Sequence, residues 1–290
     1  MTQDIKLKNK VAVVTGGSKG IGKALVTALV EQGAKVVIGD ILVNEGEELV
    51  KALNSKQPDN VAVFVRTDVT SWDDNKKLFA TAEKEFGGVD IACLNAGISE
   101  HPQTLFGPLE GESMTLKINL DGVIKGNRVA ILHLAKRGGG VIVNTASAAG
   151  FVGTSIIPHY TASKHGVVGW TRSMQPMIDV ANVRVNAVCP YWVETDILAS
   201  IDVPGVGFID VAPKVPMETV MDAYMTAILD ESQHCQTIIA LPDGVRVEPA
   251  FNIWASCVTQ EMVEAKMVDY KEEVEAWKSD LKEARMRANI

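Results

Sequence analysis

Short continuous apolar runs alternate with amphipathic helical patterns along most of this chain, and that alternation limits what it can become. The runs at 11–15, 35–39, 61–66, 91–94, 141–145, 183–189 and 237–241 predict strands. The first is apolar at almost every position, as a strand buried on both faces of a parallel sheet must be. Helical patterns fall between the runs, at about 21–32, 43–54, 72–86, 113–137, 160–180 and 219–229. Gly33, Gly87-Gly88 and the triple glycine Gly138–Gly140 supply stops, and Pro176 should break the fifth pattern near its end. Strands alternating with helices predict βαβ units, hence an α/β, doubly wound sheet of about seven parallel strands with helices on both faces. Residues 1–250 read as one domain with a Gly/Pro-rich insert at 196–218, and residues 251–290 as a C-terminal helical extension.

Composition narrows the function classes. At 290 residues, 47% apolar and 22% charged, the chain can bury a large core without disulfides or metal. Lys and Arg number 28 against 36 Asp and Glu, a net charge of −8, which argues against a nucleic-acid partner. Cys93, Cys189, Cys235 and Cys257 form no C-x-x-C pair and no zinc spacing, and read as reduced thiols. The opening MTQDIKLKNK has no apolar signal core, so the expectation is a cytoplasmic protein. The longest uncharged stretch, Gly138 to Ser163, is interrupted by Asn144, Thr145, Ser147, Ser155 and Pro158 and predicts no membrane span.

The first strand runs into Thr15-Gly16-Gly17-Ser18-Lys19-Gly20-Ile21-Gly22. Glycines there permit a tight turn and close backbone approach to a pyrophosphate, and the helix N-terminus behind them offers free N–H groups. The second strand ends at Asp40, 20 residues after Gly20. A carboxylate at that place accepts the ribose hydroxyls of an adenosine and repels a 2′-phosphate. NAD is therefore the expected cofactor, with Lys19 as a contrary cue for NADP. Alone, Asp40 would be an ordinary strand-end turn residue. Asp68-Val69 and Asn95-Ala96-Gly97 close the third and fourth strands, where adenine and the body of the cofactor would pass.

Tyr160-Thr161-Ala162-Ser163-Lys164 places Tyr160 and Lys164 on one helix face, and Ser147 lies 13 residues before Tyr160, just past the fifth strand. A phenol is a poor base near neutrality. An adjacent ammonium stabilises its phenolate, and reaching neutral pH takes roughly 4 kcal/mol from Lys164 and a nicotinamide charge together. Such a phenolate can take the proton of a substrate alcohol while Ser147 orients its oxygen, with no metal required. A Tyr and a Lys on a solvent-facing helix is the bland alternative. The consistent chain order of glycine loop, Asp40, Asn95, Ser147 and Tyr160/Lys164 weighs against it.

With these motifs, residues 8 to 245 resemble the short-chain dehydrogenase/reductase family, and within it hydroxyprostaglandin dehydrogenase-like NAD enzymes. The resemblance implies a Rossmann-type fold. It also implies that Asn119, in I-N-L-D-G, supports a water in a proton relay, and that Lys164 binds the nicotinamide ribose. After the sixth strand it implies cofactor contacts at Pro190, Val193 and Thr195. There the family has Pro-Gly, whereas this chain has Pro190-Tyr191-Trp192. Tyr191 and Trp192 either shape an aromatic substrate pocket or fill core. Leu94 replaces the family's asparagine before N-A-G. Family members form dimers or tetramers, so a homodimer or homotetramer is expected.

The insert carries Ile197, Leu198, Ile201, Val203, Val206, Phe208, Ile209 and Val211, with Pro204 and Gly205 as hinges. It suits either a lid over a lipophilic small-molecule substrate or a plain surface loop. His159 either faces substrate or is structural. In the extension, Val263, Met267, Tyr270, Val274, Trp277 and Leu281 make a heptad-spaced seam that meets a partner subunit or the chain's own body. The reading is NAD-dependent oxidation of a secondary alcohol on a bulky apolar substrate. Its rivals are redox-neutral chemistry on the same fold and a non-catalytic dinucleotide sensor or scaffold.

Overall fold

The computed structural model describes residues 5–99, 113–199, 207–249 and 258–290. Ile201, Val203, Pro204, Gly205, Val206 and Cys257, with the side chain of Phe208, lie outside the described set. Seven strands pair in parallel: β1 (Val11–Thr15), β2 (Lys35–Asp40), β3 (Ala62–Arg66), β4 (Ile91–Leu94), β5 (Gly140–Thr145), β6 (Val183–Pro190) and β7 (Thr237–Leu241). An eighth, β8 (Gly244–Glu248), pairs antiparallel with β7, giving the order β3-β2-β1-β4-β5-β6-β7-β8. The sequence pattern did not predict β8. It is a short edge strand with Val247 exposed, so it lacks the buried apolar run that marks the others.

The helices are α1 (Gly20–Glu31), α2 (Val43–Asn54), α3 (Trp72–Phe86), α4 (Met114–Leu116), α5 (Val123–Arg137), α6 (Pro158–Arg172), α7 (Met177–Ala181), α8 (Asp196–Ala199), α9 (Gly207–Val211), α10 (Met217–Leu229) and α11 (Gln260–Ala288). Strand pleating sends alternate residues to opposite faces. Ala12 and Val14 join Leu25, Leu29, Ile38 and Tyr224 beneath α1 and α10, while Val11 and Val13 join Leu78, Phe79, Leu134 and Val167 beneath α3, α5 and α6. Both faces of the sheet are thus covered, as doubly wound folds require.

Local chemistry sets the helix ends. Ser71 caps α3 by accepting from the Asp74 N–H, and Gly87 ends it at φ 85°. The helix expected over 160–180 is two helices. α6 starts at Pro158 in its first turn and ends at Ser173, before Pro176, and α7 resumes at Met177. The pattern at 113–137 is one continuous helical path, but Lys117–Gly122 between α4 and α5 is wound as a π-helix around the buried Asn119. Among the described residues, no helix is long and apolar enough to cross a membrane.

Helix α11 packs against α7 and α5. Its seam divides. Tyr270 donates to Asp179 at 2.5 Å, Val274 is buried and Trp277 joins the core, whereas Val263 and Met267 are exposed. The C-terminal half of the seam therefore lies on the chain's own body. Val274→Asp would bury a charge among apolar neighbours and should undock this helix. Hydrogen exchange over Gln260–Ala288 should accelerate while that of β1 and β4 stays slow; unchanged protection of the helix would contradict this docking.

Candidate active site

β1 pairs with both β2 and β4, so the chain leaves it in opposite directions and a crevice opens at the carboxyl ends of the strands. A cavity of about 810 Å³ occupies that crevice. Its floor comes from the segments that follow β1, β2, β3, β4, β5 and β6.

The glycine loop forms one wall. Gly16 and Gly20 have φ of 63° and 52°, a region that disfavours any side chain. A Cβ on Gly22 would lie 1.9 Å from the Gly16 carbonyl oxygen, so α1 can approach the loop this closely only with glycine there. No side chain caps α1, which leaves its first N–H groups directed at the cavity. The Asp40 carboxylate braces the same loop, accepting from the Ser18 N–H at 2.9 Å and the Leu42 N–H at 3.1 Å. Lys19 pairs with Glu45 on α2 at 3.4 Å and with Asp196 on α8 at 3.6 Å. Those two carboxylates, the Glu45 hydrogen bond first, raise its pKa. Its charge is thus already engaged beside the Asp40 wall.

Asp68 lines the next stretch, with its pKa lowered by hydrogen bonds from the Thr70 hydroxyl and N–H at 2.8 and 2.9 Å. Asn95 lines the cavity too, but its amide is spent on backbone, donating to the Thr15 and Gly16 carbonyls at 3.2 and 3.0 Å. It ties β4 to the start of the glycine loop.

Ser147, Tyr160 and Lys164 meet at the carboxyl end of β5. The Lys164 ammonium donates to the Thr145 carbonyl at 2.8 Å and stands 5.5 Å from the centroid of the Tyr160 ring. Lys164 is 3% exposed, and burial pushes its pKa down to about 8. Burial also raises the pKa of Tyr160, partly offset by a hydrogen bond with Ser147. Burial thus opposes the Tyr160 phenolate, the reverse of the lowering expected from Lys164.

Two expected site residues stand behind the cavity and do not line it. Ser18 is buried, bracing Asp40 through its N–H. Asn119 is fully buried; its amide oxygen accepts from the Ile98 N–H and its nitrogen donates to the Ile98 carbonyl, both at 2.9 Å, and to the Ser163 hydroxyl at 3.4 Å. Gly16, Lys19, Gly20, Ile21, Gly22, Asp40, Asp68, Val69, Asn95, Ala96 and Gly97 all line it, as do Ser147, Tyr160, Lys164, Pro190, Val193 and Thr195. Tyr191 and Trp192 line it as an edge-to-face pair with centroids 5.8 Å apart, and Tyr191 is 39% exposed, so it is not core filling. His159 is not part of the lining.

Sequence reasoning missed Ile98, Met114, Ile118, Val152 and Ile157, which give the half of the cavity beyond Tyr160 an apolar wall together with Ile197 and Leu198. They come from separate loops and helix starts, so no local pattern groups them. Thr145 was also missed, although its place at the end of β5 marked it.

The architecture and its glycine-walled crevice define a doubly wound, dinucleotide-type α/β protein. Residues 10–203 match the family model described as short chain dehydrogenase, and the chain belongs to that family. It is 36% identical over 201 residues to a Homo sapiens protein named 15-hydroxyprostaglandin dehydrogenase (NAD+), covering 68% of this chain and 73% of that one. It is 38% identical over 195 residues to cis-4-hydroxycyclohexanecarboxylate dehydrogenase of Sinomonas cyclohexanicum, covering 66% and 76%. A crystal structure of a short-chain type dehydrogenase/reductase from Mycobacterium marinum superposes with a TM-score of 0.72 at 27% identity, covering 82% of this chain and 96% of the other.

Lys164 sets a pH signature. Its folded pKa of about 8 lies below the ordinary 10.5, so the unfolded chain binds that proton more tightly. Stability lost to this buried cation is then largest below pH 8 and recovered as pH rises towards 10.5. Lys164→Met should be more stable than the parent at pH 7 by about 1–3 kcal/mol, after allowance for the lost hydrogen bond. Urea unfolding at stepped pH should show the gap closing on the alkaline side; a constant gap would refute the assignment.

Proposed function

We propose that this chain is an NAD-dependent dehydrogenase that oxidises a secondary alcohol to a ketone on a bulky, largely apolar substrate. The observation that carries this reading is the convergence of Ser147, Tyr160 and Lys164 on a cavity whose opposite end is walled by the glycine loop and Asp40. The names of the relatives, dehydrogenases of hydroxy compounds of which one names NAD+, support it.

The residues fit a dinucleotide. The uncapped N-terminus of α1 and the Gly16–Gly22 loop would hold its pyrophosphate, and Asp40 its adenosine ribose. Asp68 and Val69 would border the adenine. Asn95, Ala96 and Gly97 would border the middle of the cofactor, and Lys164, Pro190, Val193 and Thr195 its nicotinamide end. Bound there, NAD supplies the hydride acceptor and a positive charge next to Tyr160.

The chain's own groups manage the proton. Ser147 donates to the substrate oxygen and orients it. Tyr160, held as phenolate by the Lys164 ammonium and the added charge, takes the alcohol proton as the carbon gives up its hydride. Asn119 serves as a positioning residue: its bonds to Ile98 and Ser163 fix the wall beside Lys164. The apolar wall of Ile98, Met114, Ile118, Val152 and Ile157, with Tyr191 and Trp192, takes the substrate body and offers it no charged partner. Family assembly supports a homo-oligomer, and the buried thiols Cys93 and Cys189 are consistent with a reducing, cytoplasmic setting.

Fluorescence titration should show NADH binding tighter than NADPH by about tenfold or more, with Asp40→Ala erasing most of the difference through loss of the 2′-side repulsion. Equal affinity in the parent would overturn the cofactor assignment. Tyr160→Phe should lose about 100-fold or more in turnover with a panel of secondary alcohols while keeping NADH affinity. Undiminished turnover would remove Tyr160 from the chemistry.

A further inference from the structure

Tyr224 is among the largest fully buried side chains, yet it carries a hydroxyl into an apolar interior. Its neighbours on the buried face of α10 are Val220, Ala223, Ala227 and Ile228. A Phe would fill the same space with no polar atom to satisfy, so the hydroxyl is justified only by its partners. Those partners belong to the site. The hydroxyl bonds the Thr145 hydroxyl at 2.5 Å and donates to the Asn95 amide oxygen at 3.4 Å, and Thr145 also reaches that oxygen at 3.4 Å. Each end of this triangle continues into the cavity wall. The Thr145 carbonyl accepts from Lys164 at 2.8 Å, and the Asn95 amide holds the Thr15 and Gly16 carbonyls.

We propose that Tyr224 is a positioning residue for hydride transfer: its hydroxyl fixes Thr145, and through it the depth of Lys164 and the nicotinamide end of the cavity. The proposal rests on the dehydrogenase reading. The Tyr224 hydroxyl bonds Thr145 and Asn95, so it acts on Lys164 through the end of β5. The geometry also ties the site to the segment after β6. Helix α10 begins at Met217, two residues after the Val215 N–H that donates to the Trp192 carbonyl at 2.7 Å. An element that follows the insert thus reaches through the sheet edge to the floor beneath Lys164.

Removing the hydroxyl loosens the end of β5 that carries the Thr145 carbonyl and lets the ammonium drift from Tyr160. Its help to the phenolate weakens, and the acidic limb of the kcat/KM profile moves to higher pH. The other titratable groups facing this cluster are Cys93 on β4 and Cys189 on β6, both with thiols pushed up to about 12 by burial, so neither changes charge in the assayed range.

The test compares the full chain with Tyr224→Phe, Thr145→Val and the double variant. Three quantities are read: NADH affinity by fluorescence, the kcat/KM pH profile on the best secondary alcohol, and thermal stability. Each single change should weaken NADH binding and lower kcat by about five- to tenfold and shift the acidic limb alkaline. The double variant should be no worse than the poorer single one, because both break the same bond. Tyr224→Phe that melts earlier but keeps NADH affinity and the pH profile would reduce Tyr224 to a structural role and overturn the proposal. If Tyr224→Phe fails to fold, Thr145→Val carries the same comparison. A parent that binds NADH but oxidises no alcohol defeats the dehydrogenase reading instead, and the NADH titrations of the variants still decide whether Tyr224 positions the cavity floor.

Discussion

Parallel pairing forces every strand to release its chain at the same end, and the reversal of direction at β1 keeps the connections there from covering that end. β1 is bonded to β2 on one side and β4 on the other, so α1 and the β4 exit diverge and leave a crevice between them. The parts of the site depend on this arrangement. Asp40, Asp68, Asn95, Ser147 and Pro190 are far apart in the chain but each ends or follows a strand, and strand order sets them along one cavity. The Asn95 amide secures the seam by donating to the Thr15 and Gly16 carbonyls where β1 runs into the glycine loop.

Around Lys164 the protein accepts an electrostatic cost. An ammonium buried at 3% exposure donates to the Thr145 carbonyl and has no carboxylate partner among the described residues. Burial disfavours its charge and disfavours the Tyr160 phenolate alike, but at a pKa of about 8 Lys164 is still an ammonium near neutral pH, so the phenolate is the form that needs help. Held close together, they favour each other's ionised form. The phenolate therefore depends on positive charge held next to Tyr160. That property explains why the floor beneath Lys164 must be rigid: a Coulomb interaction between two groups that both resist ionisation falls off with any separation they are allowed.

The sequence was most legible where one residue type answers one local demand. Glycines at Gly16, Gly20 and Gly22 announced the loop because a side chain there strains the backbone or collides with it. Asp40 and the Tyr160/Lys164 spacing were legible for the same reason. Seven buried strands were visible as apolar runs, whereas β8 was not, because an edge strand half in water shows no such run. The long helical patterns were found but not their interruptions: the π-helical turn at Lys117–Gly122 follows from Asn119 bonding to Ile98 across the structure, and nothing local signals it. Ser18 and Asn119 were read as site residues, yet in the fold they stand behind the cavity, a distinction that spacing cannot express.

What the chain determined by itself was the order of strands and helices, the glycine loop after β1, the carboxylate at the end of β2 and the Ser–Tyr–Lys set. Each depends on backbone conformation or on spacing within one element. Tertiary structure decided which faces meet: the apolar cavity wall drawn from separate loops, the engagement of Lys19 by Glu45 and Asp196, the docking of half of α11, and the burial of the Tyr224 hydroxyl beneath the site. These come from contacts between residues distant in sequence, whose energies depend on burial and distance, and neither quantity exists until the sheet has closed over its two faces.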